Sequence, residues 1–526
     1  MKTLRLWQSS PATAALIAAS VVAACTASVG SGTGTSSNSG GNGSTLGGGG
    51  GAGNNGGGGG NGGGGNGGAG NGGGNTGAGM SGGTMTPATT GTGAPGQPPL
   101  MMTPESAGLL VMRRLTYREY DHMLADLFGD TTAPAETQNW SPDVTGALGF
   151  ILPTGVASLQ VTYYNQTADA VVQAALANVA AGKPAGKFAI PCTTPANMAA
   201  ETACATQFVT AFGLEAFRRP VAAAEQTDLL ALFTAVRGYG LSFTDSIGAV
   251  AKSMIQSPNF LYHWEIGPTK PVVDAATGLA PLTQWQIASR LAMALWETMP
   301  DDNLLTAAQG GMLSTPAQVA AQVTRMMQDP KAAQSLFAFH SQLLLQEGIR
   351  ITDITQITKD PALTLYTPAA AAGLQTEFTS YVTSVYSGDG TLGTLLAPAA
   401  PYAYVNHDLA AIYGVTGPAA NGGFMKVMLN PAQRAGILTQ TAFLAANASP
   451  STDNPVFRGL NIWTKLLCGT YMPPPPVVPT AVFKPGTTTR QTFESHAACA
   501  AACHGVFDPP GFAFENYDAI GAYRTT

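Results

Sequence analysis

The chain has 526 residues, a formal net charge of −6 and only 10% charged residues. Those figures exclude a basic footprint for nucleic acid and an acidic solvating tail. A hydrophobic share of 45% suits a globular protein with a sizeable core, but 65 glycines do not, and they are concentrated in one segment.

The first 25 residues read as an export signal. Lys2 and Arg5 make a short positive region, and Ala12 to Val22 is an apolar run too short to span a bilayer. It ends in Val22-Ala23-Ala24-Cys25, which resembles a lipobox: cleavage before Cys25 and lipidation of its sulfur would anchor the chain in a membrane. The other reading is an ordinary signal peptide cut after an A-x-A site. Thr26, rather than Asp, after the cysteine points to an outer-membrane lipoprotein facing the periplasm or the cell surface. Residues 26–100 are nearly all Gly, Asn, Ser and Thr, which bury too little apolar surface to offset chain entropy. The expectation is a flexible tether with an r.m.s. reach of about 50 Å.

From Leu109 the sequence reads as mainly α, a body of several small helical domains with bounds at 101–190, 191–270, 271–400 and 401–526. Thr116 and Glu119 have capping-box spacing, with Leu115 and Tyr120 as the hydrophobic staple. Tyr120, Met123, Leu124 and Leu127 then form one face, and Gly129 marks the stop. Thr283 with Gln286 repeats the device, flanked by Leu282 and Ile287. Thr315-Pro316-Ala317-Gln318 adds proline at the first helical position. Thr367-Pro368 and Asn430-Pro431 read as further helix starts. Leu374, Phe378, Tyr381, Val382 and Val385 make a stripe of period 3.6. Trp285 and Trp296 read as core, and Arg113-Arg114 and Arg218-Arg219 as salt-bridged helix-end residues. His122 and His263 lie in helix-like segments as polar or interface residues. Met472 to Pro476 is a polyproline connector.

The cysteines carry the chemistry. In an exported, oxidising setting, Cys192 and Cys204, twelve apart, read as a structural disulfide. Cys499, Cys503 and His504 form C-A-A-A-C-H, one residue longer than the C-x-x-C-H at which two thiols add to porphyrin vinyl groups and the imidazole ligates iron. The same residues also suit a local disulfide, or a copper or zinc site using His496 or His504.

Several segments together resemble one family. They are RRLTYREYDHMLADLFGD, AFRRPVAAAEQTDLLALF, SMIQSPNFLYHWEIG, PLTQWQIASRLAMALWETMPDDNLL, GILTQTAFLAANASPSTDNPVFRGLNIWTKLLCGTYMPPPP and CHGVFDPPGFAFENYDAIGAYR. The family is the exported bacterial proteins of unknown function built from planctomycete cytochrome-associated domains. In it the last segment usually reads C-x-x-C-H followed by a pattern that Asp508, Pro509, Gly511, Glu515, Asp518, Gly521 and Arg524 match here. The resemblance implies haem c, with Cys499 and Cys503 as thioether attachments and His504 as proximal iron ligand. The departure is the extra alanine. The family usually continues past this element, which implies a partner for Cys468 and a distal ligand beyond Thr526. Within the chain, distal candidates are His496, His340, His407 and several methionines. Asp508, Glu515 and Asp518 read either as carboxylates beside an open haem position or as residues pinning the following turn to Arg524.

These readings lead to an anchored, exported haem protein acting in electron transfer or haem-dependent oxidation. Its partners would be the membrane and a redox protein, with no nucleic acid. The rival readings are a copper- or zinc-binding exported protein and a cell-surface scaffold or polymer-binding lipoprotein.

Overall fold

A computed structural model describes residues 113–137, 156–192, 195–263, 280–347, 354–470, 486–494 and 505–525, with a few isolated positions and strand pairs besides. The chain divides into two units, residues 29–105 and the remainder. Of the first, only an antiparallel pair of two-residue strands, Thr90–Gly91 and Leu100–Met101, is described. The signal segment, nearly all of the 26–100 tether and the polyproline connector lie outside the described residues.

The body is mainly α. Its first helices are α1 (Tyr117–Phe128), α2 (Ser158–Ala180), α3 (Met198–Ala216), α4 (Ala223–Gly238) and α5 (Phe243–Ile255). The Thr116 hydroxyl accepts from Glu119 N while Glu119 bonds back to the cap, and Gly129 closes the helix in the left-handed region at φ 73°. Tyr120, Met123, Leu124 and Leu127 are all fully buried, as a 3.6-residue stripe requires. They join α2–α5 in one core, where Phe188 meets Phe208 and Phe212 edge to face, Phe208 and Phe212 stack on each other, and Phe128 tilts against Phe212. Cys192 and Cys204 are joined by a disulfide with Cα atoms 6.1 Å apart, tying the loop before α3 to its second turn.

The central helices are α6 (Gln284–Trp296), α7 (Asp302–Gln309), α8 (Pro316–Met326) and α9 (Pro330–Leu344). Thr283 and Thr315 each close a capping box, with Gln286 and Gln318. Trp296 is buried and donates from Nε1 to Met326 O at 3.0 Å, so it is a core residue.

The third core is built on α10 (Pro368–Ser387), whose stripe Leu374, Phe378, Tyr381, Val382 and Val385 is at most 1% exposed. Against it lie the antiparallel pair β1 (Tyr402–Val405) and β2 (Met425–Met428), in register Tyr402 to Met428, and helices α11 (His407–Tyr413) and α12 (Thr441–Ala446). Asn430-Pro431 starts no helix: Gln433 N and Arg434 N both bond to Asn430 O, and the chain makes a turn. The paired arginines also differ from expectation at one position. Arg113, Arg114 and Arg219 pair with Glu119, Asp143 and Glu225. Arg218 instead donates to the carbonyls of Asn259, Phe260 and Tyr262, finishing the turn that follows α5.

Candidate functional site

The last layer is made by α13 (Pro455–Asn461), a π-helical turn at Ile462–Leu466 and α14 (Gly505–Phe512). Asn454 caps α13 by accepting from Phe457 N at 3.0 Å, and Pro455 takes the first helical position. Two glycines let the helices touch backbone to backbone. A Cβ at Gly459 would lie 1.8 Å from Phe507 O, and one at Gly511 the same distance from Pro455 O. Gly459 against Phe507 and Pro455 against Gly511 make the crossing antiparallel. Gly505, the residue after His504, therefore lies toward the end of α13 that runs into the π turn.

Arg458 locks the segment after α14. The residue is 1% exposed, and its guanidinium donates to the carbonyls of Phe514 and Tyr517 (3.0 Å each), Asp518 (2.7 Å) and Leu444 (3.2 Å). Burial pulls it down to about 10, so it stays charged at neutral pH. Asp518 accepts from the N–H groups of Ile520 and Ala522. Arg524 pairs with Asp453 at 2.9 Å and donates to the backbone carbonyl of Glu515. Of the two readings of Asp508, Glu515 and Asp518, the one that pins the turn to Arg524 is met through the backbone carbonyl of Glu515, while the ion-pair partner of Arg524 is Asp453.

A second polar cluster joins this layer to α10. Glu377 has no exposed surface; it accepts from Tyr413 Oη at 2.5 Å and from Ala442 N at 2.8 Å. It thereby caps the start of α12 from outside the helix. Arg434 lies between the rings of Tyr413 (4.5 Å) and Tyr517 (4.9 Å) and donates to Thr439 O and Gly521 O. Sequence reasoning missed both residues; the available signal was an acid at the i+3 position of an apolar stripe. Burial raises the Glu377 carboxyl from 4.5 to about 7. A raised pKa means the folded state favours the proton. That stability is fully present below about 4.5 and is lost as pH rises through about 7, at most about 3 kcal/mol. Glu377→Gln should therefore flatten the fall in melting temperature between pH 5 and pH 8. Equal pH slopes in variant and wild type would refute this.

The predicted lipidation site Cys25 and the predicted haem residues Cys499, Cys503 and His504 all lie outside the described residues, as does His496. His340 is buried; its Nδ1 donates to Leu336 O at 2.8 Å and its Nε2 lies 3.3 Å from Tyr386 Oη. Burial pulls it down to about 4, and both ring nitrogens are engaged within its own core. His407 is exposed on α11, bonded to Pro418 O. His263 contacts Glu119, and His122 donates to Glu297 O beside a cleft of about 370 Å³. In that cleft Asp121 is held by Ala135 N and Glu136 N, and Asp126 by Lys331 and Thr298, so its inner carboxylates are already satisfied. Among the described residues no group of three or more His, Cys, Asp or Glu is placed to hold a metal ion. No described helix is long and apolar enough to cross a membrane.

Cys468, two residues past the π turn, is held in a disulfide, so its partner lies within these 526 residues rather than beyond Thr526. This bears on how a haem would fit. With Cys192 and Cys204 paired, that partner is Cys25, Cys499 or Cys503. Two thioethers in the tail are compatible with the Cys468 bond only if Cys25 is the partner. Attachment through one tail thiol is compatible with every choice.

Three family models match the chain: PSD5 (DUF1595) over residues 204–265, PSD4 (DUF1592) over 282–415 and PSCyt3 (DUF1588) over 434–526, each described as a protein of unknown function. The chain therefore carries three planctomycete-type domains. No curated protein and no solved structure matches it. The PSD5 match covers most of α3 and all of α4 and α5; the PSD4 match covers α6–α11. The PSCyt3 match begins at Arg434 and takes in Arg458, Gly459 and α14. Its name points to cytochromes. In this chain the glycine crossing and the Arg458 bonds lie wholly within the PSCyt3 domain.

Proposed function

We propose that the protein is a membrane-anchored, exported c-type haem protein acting in electron transfer or haem-dependent oxidation. One observation supports this most: the segment Cys499–His504 falls inside the PSCyt3 match and runs directly into α14, a helix fixed by backbone contact and by the carbonyl bonds of Arg458. Bound haem would supply an iron centre that exchanges electrons. His504 would ligate that iron, and Cys503, its neighbour, would hold the macrocycle covalently. The chain's own part is orientation. Placed one residue ahead of α14, His504 would have that helix to orient its imidazole toward a bound group. Lipidated Cys25 and the 26–100 tether would keep the body near a membrane and free to meet a redox partner.

The test is to express the full chain in a periplasm with haem-attachment machinery and record the reduced pyridine spectrum after acid–acetone extraction. A covalent haem band is the expected result. Copper or zinc without haem would replace this reading with the metal-binding one, and a colourless, metal-free protein would leave a surface scaffold.

A further inference from the structure

We propose that the cleft between α1 and α9 is a binding site for a small organic ammonium ion of the size of a short diamine. Haem plays no part in it.

Two layers of the body form its walls. Asp121, His122 and Asp126 on α1, with Asp130 and Glu136 from the turn and one-turn helix that follow, make one side, and Lys331 on α9 stands on the other. The volume of about 370 Å³ falls in the range of small-molecule sites, about 300–1,000 Å³. Bonds across the junction set the spacing of the walls. Lys331 donates to Asp126 at 2.8 Å, and His122 Nδ1 donates to Glu297 O at 3.2 Å.

The lining is short of positive charge. Among the described residues Lys331 is its one lysine or arginine, and it is committed to both oxygens of Asp126. Asp130 spends Oδ1 on Thr132 N and Oγ1, which fixes its turn and leaves Oδ2. Glu136 gives its N–H to Asp121 and keeps its own carboxylate for the cleft. Neither acid makes an ion pair among the described residues. Burial, and then the charges of Glu136 and Asp130, raise the Asp121 carboxyl to about 6, as negative charge in excess should.

His122 supplies a different acceptor. A carbonyl only accepts, so Nδ1 carries the proton in the bond to Glu297 O and Nε2 holds the lone pair. Burial pulls the ring below its ordinary value, which keeps it neutral. Nε2 has no partner among the described residues. Two carboxylates and one imidazole nitrogen therefore await N–H donors on a positive ligand. A metal ion is a poorer match, since no three such side chains among the described residues are placed to hold one. A neutral polyol would bring no charge to offset Asp130 and Glu136. The bonds that already hold Asp121 and Asp130 leave little for binding to order.

The test is calorimetric titration of the full chain, purified from an exporting host, with putrescine, a four-carbon diamine. One saturable site is expected, and none for butanediol, its uncharged counterpart, or for calcium chloride. Asp130→Asn and Glu136→Gln should each weaken binding about tenfold or more, and His122→Asn should weaken it too. Asp228→Asn removes the same charge from an exposed position on α4 outside the cleft and should change nothing. No saturable heat from putrescine, or equal binding of butanediol or calcium, would overturn the assignment. So would putrescine binding that Asp130→Asn and Glu136→Gln leave intact, or that Asp228→Asn weakens as much as they do.

Discussion

Gly459→Ala is expected to undock the C-terminal layer. The added methyl would sit 1.8 Å from Phe507 O and 3.0 Å from Gly511 N, both backbone atoms of a helix that cannot rotate away as a side chain can. Relief requires α13 and α14 to move apart, which strips the contact along their length and strains the Arg458 bonds just past α14. Overpacking ordinarily costs ~1–3 kcal/mol, and a clash with backbone belongs at or above the top of that range. Gly511→Ala should match it, because the crossing is reciprocal: its methyl would meet Pro455 O at 1.8 Å. Hydrogen exchange is the informative measurement. Amides of 505–525 should lose protection in either variant while those of α1–α5, in a separate core, keep theirs. Unchanged exchange in 505–525 would mean that the two helices do not cross so closely.

Arg458→Met should be nearly as damaging, for a different reason. The side chain fits by volume, so no clash is introduced. It withdraws the donor from four carbonyls, three of them in the tail. A buried polar group left without its partner costs about 1–3 kcal/mol, and with some rearrangement among the four the loss should total roughly 3–5 kcal/mol. Arg458→Lys should recover little of this, since one ammonium cannot reproduce the planar fork that reaches Phe514, Tyr517 and Asp518 together. Chemical denaturation of the three proteins checks both statements. A lysine variant as stable as wild type would show that charge, not geometry, is what the tail requires.

How far the sequence discloses this protein differs from region to region. Helices announced by local chemistry were legible: Thr116 with Glu119, Thr283 with Gln286 and Thr315 with Gln318 cap the helices they were expected to cap. The apolar stripe of α10 was legible for the same reason, because periodicity is a local property. Asn430-Pro431 has the local chemistry of a helix start, yet Arg434 is committed to Thr439 O, Gly521 O and two tyrosine rings, and the chain turns instead. Arg458, Glu377 and the Gly459–Gly511 crossing were not legible as partners. Each depends on residues distant in the chain, and nothing near an arginine or a glycine states which backbone it will meet. The disulfide of Cys468 is the same kind of fact: one sequence supplies the thiol but not its mate.

Arg458 also fixes an order of assembly. The carbonyls it grips in the tail lie 56, 59 and 60 residues later in the chain. During synthesis those residues emerge well after Arg458 itself. Until Phe514 is available, the arginine has only Leu444 O among these four acceptors, and until residues 505–512 are made α13 lacks α14 to lie against. This layer consequently closes later than the segment that holds Arg458, and a polypeptide cut short of residue 514 would retain a buried cation without its three tail acceptors.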